Sequence, residues 1–159
     1  MKANAVGKKY SVATRAYCAG LIDGDGAIMA IIEPHHEKRF RFRVRIELKV
    51  TQKDKKSIAF LPRLLGCGAI RSNRQTTHDW ITRDQQEILR ILSYIRPYSR
   101  IKQRQIILAS KIIRTPIKKR TDVMRVARLA DTLSKFNVRS KKRRKNYATM
   151  VQKYFSPND

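Results

Sequence analysis

The sequence predicts an α+β fold: a helix, two strands, a helix, two strands and a helix in succession, followed by further helices. Three observations predict it. Phe40, Phe42, Val44, Ile46, Leu48 and Val50 alternate with Arg41, Arg43, Arg45, Glu47, Lys49 and Thr51, the period of two of a strand with one buried face. Residues 84–95, 101–114 and 122–136 carry apolar residues three and four apart, as helices packed on one side do. The strands arrive in consecutive pairs rather than alternating singly with helices, which favours an antiparallel sheet with helices on one face.

Taken in order, residues 1–10 are polar and basic without a pattern and read as a flexible arm. Ser11 is placed to cap a helix running to about Ile22. That helix bears a stripe of small residues, Ala13, Ala16 and Gly20, continuing to Gly24. Small side chains let a second helix approach closely; burial against the chain's own sheet is the competing reading. Residues 27–33 form a short apolar strand, 34–37 (Pro-His-His-Glu) a turn, and the alternating segment the next strand. Asp54 can cap a helix to about Leu65, with Ile58, Leu61, Leu64 and Leu65 inward and Gly66-Cys67-Gly68 ending it. Residues 69–74 and 79–82 form a hairpin. The helix at 84–95 (Ile88, Leu89, Ile91, Leu92, Ile95) stops before Pro97. The helix at 101–114 (Ile101, Ile106, Ile107, Leu108, Ile112, Ile113) is broken at Pro116, and Val123, Val126, Ala127, Ala130, Leu133 and Phe136 face inward on the helix at 122–136. A basic run, 139–145, precedes a last helix over Tyr147–Phe155.

The 159 residues suit one domain, spanning 11–136 with a basic extension over 137–159. With 42% hydrophobic residues a core is available, and disorder is excluded. No apolar run is long enough for a membrane span, and none resembles a secretory signal. Cys18 and Cys67 stand far apart in apolar or Gly-rich surroundings and read as reduced, packed thiols.

Charge says more. With 37 Lys or Arg against 12 Asp or Glu the chain carries +25, a self-repulsion that a polyanionic partner relieves. The basic residues do not fall on one amphipathic helix, which argues against a membrane surface. Nucleic acid is the expected partner, bound in a salt-sensitive way. The exposed row Arg41-Arg43-Arg45-Glu47-Lys49 is unfavourable unless an anion lies along it. A strand ribbon of this kind fits a DNA major groove, where Arg reads guanine.

Against this background two acids stand out in Leu21-Ile22-Asp23-Gly24-Asp25-Gly26. A carboxylate at a helix C-terminus is disfavoured by the macrodipole. It makes sense beside a hard divalent cation held by carboxylate and carbonyl oxygens; an ordinary Asp-Gly turn is the alternative. The glycines would let the backbone leave the helix there.

The whole segment Ala19-Gly20-Leu21-Ile22-Asp23-Gly24-Asp25-Gly26 resembles the signature of the LAGLIDADG homing endonucleases, with Cys18 for the first Leu and Gly24 for Ala. The element order is similar too, and the likeness runs through Val50-Thr51-Gln52-Lys53 and Lys102-Gln103-Arg104-Gln105 to about Phe136. The motif occurs once, so the chain resembles the single-motif, homodimeric branch. The resemblance implies an antiparallel sheet forming a DNA-binding saddle. It also implies hydrolysis of both strands of a long pseudo-palindromic DNA target with Mg²⁺, Mn²⁺ or Ca²⁺ being able to occupy the same sites. By the same resemblance, Asp25 and the Gly24 carbonyl bind the metal, Gln52 orders the attacking water, and Lys102 and Lys56 are cations near the scissile phosphate. Asp23 is carried over only as a structural or supporting acid.

The likeness further implies DNA contact from Ile31, Glu33, His35, Lys38, Arg43, Arg45 and Lys49, and from Arg71, Asn73, Asp79 and Ile81. For Ile31, Glu33 and Ile81, base contact and plain packing or solvation stand level. Arg139, Lys141 and Lys142 of the basic run contact phosphates or form a solvated tail. Paired signature helices would meet through Ala13, Ala16, Tyr17, Gly20 and Leu21. His35, His36 and His78 are isolated, which suits surface or base-contacting roles better than metal ligation. The partners implied are duplex DNA and a second copy, with no membrane and no small-molecule substrate. An RNA-binding intron-splicing maturase, with intron RNA as partner, is the alternative. Such a protein is expected inside an organelle, chloroplast or mitochondrion, or in microbial cytoplasm.

Overall fold

The computed structural model describes residues 10–73, 76–137 and 146–156. Among them the order is α1 (Val12–Asp25), β1 (Gly26–Pro34), β2 (Phe42–Gln52), α2 (Leu61–Leu65), β3 (Ala69–Ser72), β4 (His78–Thr82), α3 (Gln85–Ile95), α4 (Gln103–Arg114), α5 (Arg120–Asn137) and α6 (Tyr147–Phe155). The four strands form one antiparallel sheet in the order β1-β2-β4-β3. The predicted α-β-β-α-β-β-α order and the added helices are therefore present.

Contacts divide the chain into two compact units. The first comprises Met1–Ala27 and Leu48–Gln103. Its core gathers Cys18, Ala19 and Ile22 of α1, Leu48 and Val50 of β2, Trp80 of β4, and Ile88, Ile91, Leu92 and Ile95 of α3, all buried. Both thiols are free, as expected. Register explains the strand faces: Val50 pairs with Trp80 and Trp80 with Ile70, while Thr51 pairs with Asp79 and Asp79 with Arg71. Alternate residues therefore point to opposite sides across three strands. Trp80 donates its ring N–H to the Cys67 carbonyl at 3.1 Å. Gly68, at φ +81°, lies so close that a Cβ would stand 2.5 Å from the Trp80 ring nitrogen, so both backbone and space require glycine there.

The second unit comprises Ile28–Glu47 and Arg104–Asp159. Ile28, Ile32, Phe42 and Ile46 from the strands are buried with Ile106 and Ile112 of α4, Val126, Ala130 and Leu133 of α5, and Val151 of α6. Asp131 of α5 accepts the Tyr147 and Ala148 amides at 2.6 and 2.9 Å, which starts α6 against α5. Tyr147 in turn donates its hydroxyl to the Ala30 carbonyl at 3.1 Å.

Several expectations are corrected. The helix expected from Asp54 to Leu65 is a 3₁₀ turn, Lys55–Ser57, followed by the short α2. Pro62 is the reason: it lacks the N–H that would bond the Ile58 carbonyl, which accepts the Leu61 amide at 3.0 Å instead, and it stands in the first turn of α2, where a proline is tolerated. Asp54 still caps its turn, accepting the Lys56 amide at 3.0 Å. The first helix does not end at Ile22 but continues through Asp25 and passes directly into β1. Neither Gly24 nor Gly26 has positive φ; Gly26 is needed because a Cβ would meet the Ile22 carbonyl at 2.5 Å. Arg41 precedes β2, in the turn, at φ 61°. Glu47 is buried rather than part of an exposed row. The fourth helix begins at Gln103, leaving Ile101 71% exposed, and Phe136 is 42% exposed instead of inward. Tyr10, assigned to the loose arm, donates to the Leu64 carbonyl at 2.8 Å and accepts from Arg90 at 3.1 Å.

Candidate functional site

The acidic end of α1 is held by the loop that enters α4. Asp23 is buried, and its carboxylate accepts four hydrogen bonds: from Ser99 Oγ at 2.6 Å and from the amides of Arg100, Ile101 and Lys102 at 2.6, 3.1 and 3.2 Å. A carboxylate disfavoured at the end of one helix thus sits against the unpaired amides ahead of the next. Burial pushes its pKa up, but the Ser99 hydroxyl and the three amides outweigh it and hold the carboxyl below its ordinary range.

Lys102 returns the contact. It is buried, and its ammonium donates to the backbone carbonyl of Asp23. That carbonyl belongs to the last turn of α1, where cations are favoured. Burial lowers the Lys102 pKa, while the Asp23 and Asp25 carboxylates draw it back up. Asp25, exposed at the last position of α1, accepts a 2.6 Å hydrogen bond from Gln52 Nε2 at the end of β2.

Three residues singled out from the sequence, Asp25, Gln52 and Lys102, are thus brought together at one helix tip. Lys56 is exposed in the 3₁₀ turn, and no hydrogen bond or ion pair joins it to these three. Gly24 is exposed in the last turn of α1, where helix carbonyls run out of intrahelical donors. One carboxylate and one carbonyl form a hard-oxygen pair of the kind Mg²⁺ accepts while keeping other positions for water or phosphate. Among the described residues no group of three or more His, Cys, Asp or Glu converges on a cation position.

The strand residues fall into two clusters. In the first unit, Lys49, Thr51, Arg71, Asp79 and Ile81 share one face of the ladder. Asp79 is its hub: it accepts from Thr51 at 2.6 Å and Asn73 at 2.8 Å, and pairs with Lys49 at 3.6 Å. Burial works against its charge, but these partners prevail and keep its pKa below normal. In the second unit, Glu33 pairs with Arg45 at 3.2 Å and Arg43 at 3.8 Å. Arg43 also lies 2.5 Å from His35 Nε2. Ile31 is half-buried and Lys38 exposed in the turn. Carboxylates therefore offset part of the like-charge row, so the strand tolerates its arginines without requiring an anion along their whole length. His36 is exposed, and His78 meets Ser72 Oγ at 3.0 Å. Arg139, Lys141 and Lys142 lie outside the described residues.

On α1, Ala13, Ala16, Tyr17 and Gly20 are exposed and Leu21 half-buried. A Cβ at Gly20 or Gly24 would meet nothing within 4 Å. The stripe is therefore not used for packing on the chain's own sheet, the competing reading of the small residues. Sequence reasoning missed Ser99 and Thr51. Ser99 lies three residues before Lys102, and nothing in a linear pattern links it to Asp23.

The described residues thus make an α+β protein with one four-stranded antiparallel sheet and an acidic helix tip at Asp25. The chain belongs to the LAGLIDADG endonuclease family, whose sequence profile matches residues 18–113. It is 33% identical over 108 residues to the DNA endonuclease I-CreI of Chlamydomonas reinhardtii, covering 66% of this chain and 65% of the relative. It is 30% identical over 101 residues to the DNA endonuclease I-CvuI of Chlorella vulgaris, covering 62% and 63%. The chain thus matches a little under two thirds of the length of each. The fold superposes on a crystal structure of I-CvuI in complex with the I-CreI target, with 2 mM Mg and uncleaved DNA, at a TM-score of 0.80 and 26% identity, covering 90% of this chain and 92% of that one. No helix among the described residues is long and apolar enough to cross a membrane.

Proposed function

We propose that the chain is a homing endonuclease that hydrolyses both strands of a long, partly palindromic DNA target with a divalent cation, as a homodimer. The observation that carries this reading is the convergence of Asp25, Gln52 and Lys102 at the end of α1. In this reading the Asp25 carboxylate and the Gly24 carbonyl hold Mg²⁺ or a related ion. A bound divalent ion supplies charge stabilisation at the phosphate and lowers the pKa of its water.

The chain's own groups do the rest. Gln52 fixes the orientation of the Asp25 carboxylate and offers its remaining amide groups to water. Lys102 supplies fixed positive charge to the phosphate, and Lys56, from its exposed turn, a second cation as DNA approaches. The Arg43–Arg45–Glu33–His35 and Lys49–Asp79–Asn73–Arg71 clusters, with Ile31, Lys38 and Ile81, face base edges and backbone. The contacts among Arg43, Arg45, Glu33 and His35, and among Lys49, Asp79, Thr51 and Asn73, hold those side chains in defined directions before DNA arrives, which lowers the ordering cost of binding. The exposed small-residue stripe of α1 receives the same stripe of a second copy, bringing two Asp25 carboxylates to a two-fold axis that matches paired DNA half-sites.

Both curated relatives are described as DNA endonucleases, which favours duplex cleavage over an RNA-splicing role. Incubation with a randomised duplex library and Mg²⁺, followed by sequencing of the cut ends, tests the reading. Defined ends from the wild type and none from Asp25→Asn, with binding retained, are expected; a library left intact by the wild type would contradict it.

A further inference from the structure

We propose that Asp23 is a positioning residue for Lys102, fixing the lysine at both its backbone and its ammonium so that the cation is delivered to Asp25 and the scissile phosphate. This rests on the endonuclease reading above. The geometry is specific. The Asp23 side chain accepts the Lys102 amide at 3.2 Å, while the Asp23 main-chain carbonyl accepts the Lys102 ammonium. One residue therefore grips both ends of the lysine, two positions before Asp25 on the same helix.

Three further donors, Ser99 Oγ and the amides of Arg100 and Ile101, complete the carboxylate's bonding. They turn the loop before α4 into a rigid cradle. A lysine side chain has four rotatable bonds, and an unanchored one loses considerable freedom when it must meet a phosphate. Anchoring at both ends removes that loss before substrate arrives, which is how supporting residues act on a reacting group. Asp23 itself is buried and its oxygens are occupied by protein donors, so it acts through Lys102 and touches neither metal nor DNA.

The test uses the full chain and the target recovered from the library. Asp23→Asn keeps the shape but places an amide N–H₂ against backbone donors. Its cleavage rate at saturating DNA is expected to fall about 10–100-fold, as for other supporting partners, with DNA affinity in Ca²⁺ within about twofold of wild type. Ser99→Ala, which keeps the carboxylate and removes one donor, is expected to slow cleavage about threefold to tenfold and carries the test if Asp23→Asn fails to fold. Starting from Lys102→Met, neither substitution is expected to slow the residual reaction further, because the group they position is gone.

Wild-type cleavage by Ser99→Ala or Asp23→Asn would overturn the inference. So would a loss of the same size with and without Lys102, since Asp23 would then act by another route. A wild-type chain that cuts no DNA overturns the endonuclease reading and this inference with it, whereas a cutting wild type matched by its Asp23 variant overturns the inference alone.

Discussion

Gln52 Nε2 donates to Asp25 Oδ2 across 2.6 Å, tying the last residue of β2 to the last residue of α1. In the proposed reaction this bond orients a carboxylate that must hold a cation. Gln52→Ala is expected to slow single-turnover cleavage about 100-fold, the scale of one positioned polar group, while DNA affinity in Ca²⁺ is unchanged. Single-turnover rates beside equilibrium binding check this; a matching loss of affinity would mean that Gln52 serves binding instead.

The small-residue stripe of α1 makes a prediction about assembly. Because nothing lies within 4 Å of a Cβ at Gly20, Gly20→Leu should leave each protomer folded. Its bulk on a helix–helix contact should weaken dimerisation by about 2 kcal/mol or more, roughly 30-fold. Sedimentation across a protein dilution series, alongside circular dichroism, measures both. A wild type that is monomeric throughout, alone and on DNA, would remove the two-fold arrangement.

Two neighbouring glycines should behave differently. A Cβ at Gly26 meets the Ile22 carbonyl at 2.5 Å, whereas at Gly24 it meets nothing. Gly26→Ala is expected to cost about 1–3 kcal/mol. Gly24→Ala should be neutral or slightly stabilising, since alanine is the better helix former by up to about 1 kcal/mol. Urea midpoints of the two variants decide it, and equal midpoints would contradict the helix-to-strand junction described.

Acid stability should report on Asp79. Its carboxyl is held below its ordinary value of 3.8, the bonds from Thr51, Asn73 and Lys49 outweighing burial. A depressed carboxyl contributes stability that is whole above the unfolded value and is lost as pH falls through the folded one. Asp79→Asn should therefore lower stability by about 1–2 kcal/mol at neutral pH, with the gap closing as pH falls below the ordinary carboxyl value and through the lowered folded one. Urea titrations at several pH values follow this; a gap that persists undiminished at the acid end would show that packing, not charge, was lost.

The parts of the molecule legible in the sequence are those governed by local period. The alternation through Leu48 and Val50 foretells which strand residues are buried, and the spacing of Ile88, Ile91, Leu92 and Ile95 foretells the buried face of α3. The break between the turn after Asp54 and α2 is also a local matter, since Pro62 has no N–H to continue one helix. Asp25, Gln52 and Lys102 were found through a motif and its resemblance, because residues 27 and 77 positions apart share no pattern. Asp23 stands out as a supporting acid only through the same resemblance, and its partners are not legible, because its four donors lie 76–79 residues along the chain. Glu47 departs from the alternation: it is buried where the period of two expects an exposed side chain.

Strand β1 is fastened from behind at two carbonyls spaced two residues apart: Ile28, which accepts from Asn137 at 2.5 Å, and Ala30, which accepts from Tyr147 at 3.1 Å. The C-terminal helices are thus a brace for an edge strand that would otherwise present bare acceptors. A chain shortened before Tyr147 would leave the Ala30 carbonyl and both oxygens of Asp131 without these donors and uncover Val151's packing partners. Loosening there would travel along β1 to Glu33, whose carboxylate steadies Arg45 and Arg43, so in the proposed complex with DNA such a truncation would blur base discrimination by those arginines.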